Sequence, residues 1–511
     1  MASTPTISTG LKRLLVVAIA IGIFFRFYNL DTKVYWYDEI QTSTRISGYT
    51  QEEVIRQAYT GEETTVGNLL ATYQYPNPMR DLHDAIDALA QHPEHSPLYY
   101  LLARFWLQIF GHSVTAIRSL SAIIGVLVIP CAYWLAWELW HSRPIALLAA
   151  TLISLSPFHV LYAQEAREYS LWTLTILLSS ASLLRARSRS NFQNWSLYSL
   201  SLAWAFYAHP FSGLVAMSHC IYMAIVSDWK RKKKIISYVA ASAIALVLFS
   251  PWLVVVIQNR TDFVQNTIST TFPRDHLPLI WGLNLGRIFY DVNQGMAAYN
   301  PMLYFTLFLT VYAIYILCRH SPRRVWLFVI TLMGVTGLAL IVPDVVLGGR
   351  RSSITRYAIP CYLGIQFAVV YLLSLKLSQP RWRYVLYFLI FCGVVSSTVS
   401  SHIEVWWHKS PTKSRHNPEI ARIINSSDRP VVISDEIPGR ILSLAHDLDG
   451  DVGIRLVAPP YDFDIDPNRE PLYFYRPSDP LKANIQQRYN VRFVKAFDKG
   501  WLWEIESNSN V

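Results

Sequence analysis

Between residues 11 and 400 the chain returns repeatedly to apolar runs near 11–28, 118–140, 144–162, 168–184, 195–208, 211–227, 235–257, 301–318, 325–342, 357–375 and 382–400. A helix of about 20 apolar residues crosses about 30 Å of hydrocarbon, and only helices or closed barrels satisfy their backbone groups there. The runs therefore predict a polytopic α-helical membrane protein with eleven to thirteen transmembrane helices. The first run follows Lys12 and Arg13 like a signal sequence. It ends in "FFRFYNL" with no small-residue cleavage site, so a retained span is expected. The segment "SPLYYLLARFWLQIFG" (96–111) is short, with Arg104 in its middle, and reads as an interfacial or re-entrant helix.

Composition agrees. The chain is 52% hydrophobic and 16% charged, against about 25% charged in soluble domains. Its net charge of +10 does not call for nucleic acid, because basic residues in such chains set topology. No nucleic-acid partner is expected. The five cysteines lie in apolar runs and form neither a metal knuckle nor a disulfide framework.

With the N-terminus inside, the inner segments carry Lys12, Arg13, Arg143, Arg185, Arg187, Arg189, Lys230 to Lys234, Arg319, Arg323, Arg324, Lys376, Arg381 and Arg383. The short outer loops carry Arg167, Arg350, Arg351 and Arg356. That bias places the N-terminus in the cytoplasm of an inner, plasma-membrane protein. Loops 29–117 and 258–300 and the tail 401–511 then lie outside. Two domains are expected: 1–400 in the membrane, and 401–511 as an extracytoplasmic α/β domain. In the tail, "RPVVISDE", "DVGIRLVAP", "EPLYFYRP", "VRFVKAF" and "WLWEIE" read as strands, with "IPGRILSLAHDL" and "DPLKANIQQRY" as helices. Packing, acceptor binding or partner docking suits this tail better than chemistry.

Chemistry-bearing residues gather outside. Asp38 and Glu39 sit in "YWYDEIQT"; the bland alternative for them is the acidic first turn of a helix. Glu165, Arg167 and Glu168 sit in "AQEAREYS", and Arg350, Arg351, Arg356 and Tyr357 in "LGGRRSSITRYAIP". Arginine forks suit phosphate, with lipid-headgroup snorkelling as the alternative. His95 in "HPEHSPLYYLL" and His209 in "FYAHPFSG" suit substrate contacts, caps or packing. No cofactor is expected. Two histidines beside an acid leave a divalent ion open, without support from their spacing.

In this order "YWYDEIQT", "HSPLYYLLARFWLQIFGHSVTAIRSLSAIIG", "SPFHVLYAQEAREYSLW", "FYAHPFSGL" and "TRYAIPCY" resemble the GT-C glycosyltransferases over roughly residues 10–400. The branch is the family-39-like one, related to the bacterial aminoarabinose transferase and the protein O-mannosyltransferases. The resemblance implies a GT-C fold and transfer of a sugar, with inversion, from a polyprenyl-phosphate donor to an acceptor hydroxyl on the outer face. The acceptor would be a lipid, glycan or protein, and the carrier's tail would lie among membrane lipid. It also implies Asp38 as general base, Glu39 as its support or a sugar contact, and Arg356 with Tyr357 on the lipid phosphate. The sequence departs from the family at Ser96, often proline, and at Ala163-Gln164, where Ser-Arg is common; both bear on substrate identity. A lipid-linked sugar transporter or a polysaccharide ligase are the rival functions. The loop bearing Trp281, Asn284, Arg287 and Tyr290 is expected on the acceptor side.

Overall fold

The computed structural model describes residues 8–227, 232–267, 274–295, 298–409, 412–466 and 471–507. Lys230, Arg231 and Glu470, used in the topology and strand expectations, lie outside them. All eleven apolar runs are helical, at Thr9–Phe27, Val114–Trp140, Arg143–Ser154 with Pro157–Ala163, Tyr169–Ser188, Phe192–Ala208, Ser212–Val226, Lys232–Gln258, Pro301–His320, Arg323–Leu347, Ile359–Lys376 and Pro380–Ser401. Among the described residues, six are long and apolar enough to cross a bilayer unaided, or seven if the pair bent by 59° after Ser154 is one span. The remaining four fall short of the sequence expectation for physical reasons. Ser212–Val226 has 15 residues, a rise of only about 22 Å. Phe192–Ala208 has 17 residues, Tyr169–Ser188 ends with Arg185 and Arg187, and Thr9–Phe27 carries Lys12, Arg13 and Arg26.

The chain divides into two compact units. The first comprises residues 1–30, 92–99 and 118–402 and contains the apolar helices. Ile359–Lys376 is its most buried long helix and Lys232–Gln258 the most exposed.

The bend after Ser154 has a local cause. Pro157 starts the second helix without an N–H, and the residue before a proline avoids helical backbone. The carbonyls this frees are met by Arg26, fully buried. Its guanidinium donates to the Ser154 and Gly22 carbonyls at 2.6 Å each and to Ile153 at 3.4 Å. A Cβ on Gly22 would collide with the Ser154 carbonyl, and one on Gly393 with that of Leu155. Two glycine-bearing helices thus close on the bend. Beyond it, the Gln164 amide donates to the carbonyls of Phe25 and Tyr28 at 2.7 and 2.9 Å, which anchors the turn leading to Glu168.

The second unit comprises residues 31–91, 100–117 and 403–511. The tail thus shares its unit with most of residues 29–117. Its six-stranded sheet runs β1 (Glu63–Thr65), β3 (Gly453–Leu456), β2 (Val431–Ser434), β4 (Leu472–Tyr475), β6 (Leu502–Ser507), β5 (Val491–Lys495) across its width. Strands β3, β2 and β4 are parallel, while β1, β6 and β5 pair antiparallel. The five tail strands and the helices Pro438–Ala445 and Asp479–Tyr489 lie where periodicity places them. Val431, Ile433, Phe474, Leu481 and Ile485 form their core. The edge strand β1 and the helix Asn417–Asn425 were not foreseen.

Candidate active site

In the first unit, the ends of several helices bring together residues far apart in the sequence. Glu168 stands just before helix Tyr169–Ser188, and His209 just after helix Phe192–Ala208. Because these helices are antiparallel neighbours, both residues reach the same end. Arg356 and Tyr357 lie in the 3-10 turn Thr355–Ala358, ahead of helix Ile359–Lys376.

A Glu168 oxygen, Oε1, lies 3.1 Å from the Arg167 guanidinium and 3.8 Å from His95 Nδ1. The other imidazole nitrogen of His95 is 3.8 Å from Glu94, whose same oxygen is 3.5 Å from His92 Nδ1. Both Arg167 and Arg356 place their guanidinium groups over the Tyr169 ring, at 5.7 and 5.5 Å, within cation–π range. Tyr162 hydrogen-bonds Arg356 and lies in the field of the fully buried Glu165. The His209 ring stacks on Trp172 with centroids 4.1 Å apart, and Phe211 packs edge-on to Tyr357.

The charges are tuned by these neighbours. Burial alone would raise the Glu168 carboxyl. The charge of Arg167, then the hydrogen bond and charge of His95, hold it well below the usual carboxylate range. Burial likewise raises Glu94, but the His92 hydrogen bond and the His95 charge bring it down to about 2. Burial lowers His209 to about 3 against the opposing pull of Glu168. The site therefore presents neutral His209 beside a carboxylate and two arginines near neutral pH.

The segment carrying the late arginines is pinned from both sides. Asp344 Oδ2 accepts from the Ser352 N–H and hydroxyl, at 2.6 Å each. Trp281 donates to the Ser352 hydroxyl at 3.0 Å, and the Asn284 amide to the Ser353 carbonyl at 3.0 Å. Asn284 Oδ1 accepts from Thr355 and Arg287 at 2.9 and 2.7 Å. Arg350 is exposed and Arg351 half-buried on this turn. Trp281, Asn284 and Arg287 thus hold the arginine turn. A small cleft beside them is lined by Arg287, Tyr290, Asp291 and Asn300.

In the second unit, Asp38 and Glu39 occupy the first turn of helix Tyr37–Ile46. Asp38 is half-buried, whereas Glu39 is fully buried. Glu39 Oε2 accepts from the Trp36 N–H at 3.4 Å and lies 3.5 Å from the Lys409 ammonium, itself fully buried. The helix-start alternative is therefore realised at Glu39. Arg104 is buried and donates to the Ile46 carbonyl at the far end of this helix, and to the Arg80 carbonyl at 2.7 Å.

His95, Arg167, Glu168, His209, Arg356 and Tyr357 are thus gathered in one unit, with Glu165 reaching them through Tyr162. Sequence reasoning missed Glu94, Tyr162, Tyr169, Trp172, Asp344 and Lys409. Glu94 adjoins His95 in "HPEHSP" and was within reach of that motif. The aromatic residues inside helical runs and a lysine past the last span carry no local signal. Among the described residues, no three His, Cys, Asp or Glu side chains converge as metal ligands.

Residues 92–255 match the family described as dolichyl-phosphate-mannose-protein mannosyltransferase. Undecaprenyl phosphate-alpha-4-amino-4-deoxy-L-arabinose arabinosyl transferase of Pectobacterium atrosepticum is 27% identical over 171 residues, 32% of this chain and 31% of that protein. The protein of the same name from Yersinia pestis is 30% identical over 173 residues, with the same coverage. The chain therefore matches about a third of the length of these relatives. Among solved structures, ArnT from Cupriavidus metallidurans bound to undecaprenyl phosphate aligns over 98% of each chain, with a TM-score of 0.56 and 13% identity. At that identity the likeness is one of fold.

Proposed function

We propose, from the premise that this chain is a GT-C-fold membrane protein related to the aminoarabinose transferases and the O-mannosyltransferases, that it transfers a sugar from a polyprenyl-phosphate carrier to an acceptor hydroxyl. The observation that carries this proposal is the convergence of Arg167, Arg356, His95 and Glu168 at one end of the helical unit. Polyprenyl phosphate is an anionic leaving group on an apolar chain. It calls for fixed cations at the end of a helix bundle, with apolar helices behind them.

In the proposed reaction Asp38 takes the proton of the acceptor hydroxyl. The hydroxyl oxygen attacks the anomeric carbon, and the bond from that carbon to the phosphate oxygen breaks on the opposite face, so the configuration inverts. The bonding electron pair leaves on the phosphate, where Arg356, aided by Arg167, stabilises it. Glu168 keeps Arg167 and His95 in place. Arg350 and Arg351, on the turn that ends at Arg356, attract the phosphate, and Tyr357 packs beside it. This chemistry requires no cofactor, and activity is expected to persist in EDTA. The reaction takes place on the outer face, with the N-terminus in the cytoplasm.

The test is transfer from a panel of radiolabelled polyprenyl-phosphate sugars in membranes. Wild type is expected to use at least one donor. Asp38→Asn is expected to lose about 100-fold or more in kcat, the usual range for a general base. Arg356→Ala is expected to lose about 100-fold through the leaving phosphate. No transfer from any donor, with lipid-linked sugar still crossing the bilayer, favours a transporter. Transfer only of preassembled glycans favours a ligase.

A further inference from the structure

We infer that Lys409 is a positioning residue for the Asp38 carboxylate, and that Glu39 belongs to this positioning device rather than to the chemistry; the inference rests on the transfer reaction proposed above. Adjacent residues on a helix point about 100° apart, so Asp38 and Glu39 cannot share one task. Glu39 is turned inward. Its Oε2 is held by the Trp36 N–H and by Lys409, and both charged side chains are fully buried. The Lys409 ammonium also lies over the Trp36 indole, 4.9 Å from its centre. A buried ammonium and a buried carboxylate are tolerated only as a pair. Each therefore dictates the other's position, and with it the rotation of the helix start that carries Asp38.

The pair is the centre of a longer clasp. The Val34 N–H donates to the Glu404 carbonyl at 3.0 Å, and Lys33 lies 5.9 Å from the centre of the Trp406 ring. His408 packs edge-on to Trp36 at 5.6 Å. Lys413 sits 3.6 Å from the centre of the Tyr37 ring, and the Tyr37 N–H donates to Ser414 at 3.1 Å. Residues 33–39 thus interlock with residues 404–409 and 412–414 through alternating cations and aromatic rings. On the other side, helix Pro438–Ala445 approaches so closely that a Cβ on Gly439 would strike Tyr37 and Gln41. Asp38, half-buried on this braced turn, is the carboxylate that the proposed reaction uses. The segment that follows the last apolar helix thereby sets the geometry of the proposed base.

The test uses the full chain in membranes, with rates normalised to folded protein and thermal stability read in parallel. The variants are Lys409→Met, Lys409→Arg, Glu39→Gln and the double variant Lys409→Met/Glu39→Gln. Lys409→Met is expected to lower kcat about 100-fold, the effect of misplacing a reacting group by about 1 Å, at an unchanged donor KM. Lys409→Arg is expected to recover most of that loss. The double variant removes both buried charges together, so it is expected to regain thermal stability while kcat stays low. A double variant that regains both assigns the pair to stability alone and overturns the inference. So does Lys409→Met with wild-type kcat. A wild type that transfers no sugar defeats the proposed reaction itself, which separates that failure from failure of the Lys409 assignment.

Discussion

Arg26 and His209 show how much single buried residues carry. Arg26 supplies donors to the Ser154 and Ile153 carbonyls at the bend before Pro157, in a buried position where an unmet carbonyl is costly. Arg26→Leu removes three charge-assisted contacts and takes this donor from the Ser154 carbonyl. It is expected to destabilise the protein by about 3 kcal/mol, read as a lowered Tm in detergent. His209 is held neutral by burial, with its folded pKa at about 3 against an ordinary 6.5. Below pH 6.5 the unfolded chain takes up a proton that the folded chain refuses. The corresponding stability is therefore complete above 6.5 and is lost as pH falls toward about 3. Urea unfolding of His209→Phe across this window is expected to show a shallower acid slope than wild type. Glu94 acts in a lower window: its pKa is depressed from 4.5 to about 2, so its contribution fades only below about pH 4.5.

Among the elements, the bent pair Arg143–Ser154 and Pro157–Ala163 organises the turn bearing Glu165, Arg167 and Glu168. Helices Thr9–Phe27 and Pro380–Ser401 close on the bend through Gly22 and Gly393, where any side chain meets backbone rather than a flexible tip. Gly22→Ala and Gly393→Ala are each expected to cost about 2 kcal/mol from overpacking. Gly213→Ala, with open space around the added carbon, is expected to be neutral or slightly stabilising. Differential scanning fluorimetry of the three variants provides the comparison. In the second unit, β1 pairs Thr64 with Ile454 across the sheet edge, so this piece of the chain has no sheet to join without the tail.

At the level of the whole chain, the tail shares one compact unit with most of residues 29–117. Deleting residues 403–511 is expected to expose residues 31–91 to limited proteolysis while the apolar helices persist in the membrane. An intact tail that leaves the loop equally cleavable contradicts this. The basic residues predict opposite sides for the two termini, with the eleven apolar runs of the sequence taken as crossings. A phosphatase reporter that is active only outside the cytoplasm is expected to work when fused after Val511 and to fail at the N-terminus.

Local patterns reached the helices, the five tail strands and most of the clustered site, because hydropathy, strand alternation and proline placement act over a few residues. They singled out His95, Arg167, Glu168, His209 and Arg356 as residues of one side, and their common end of the bundle follows from helices that alternate in direction. Residue pattern alone gave Asp38 and Glu39 no difference in burial, since both are acids in the same first helical turn; only the resemblance separated their roles. The difference in burial came from Lys409, more than three hundred residues away, because a buried charge is defined by the partner that packing delivers to it. The same reason explains Arg26, whose role depends on a bend in another helix, and β1, whose three residues become a strand only when β3 offers an edge.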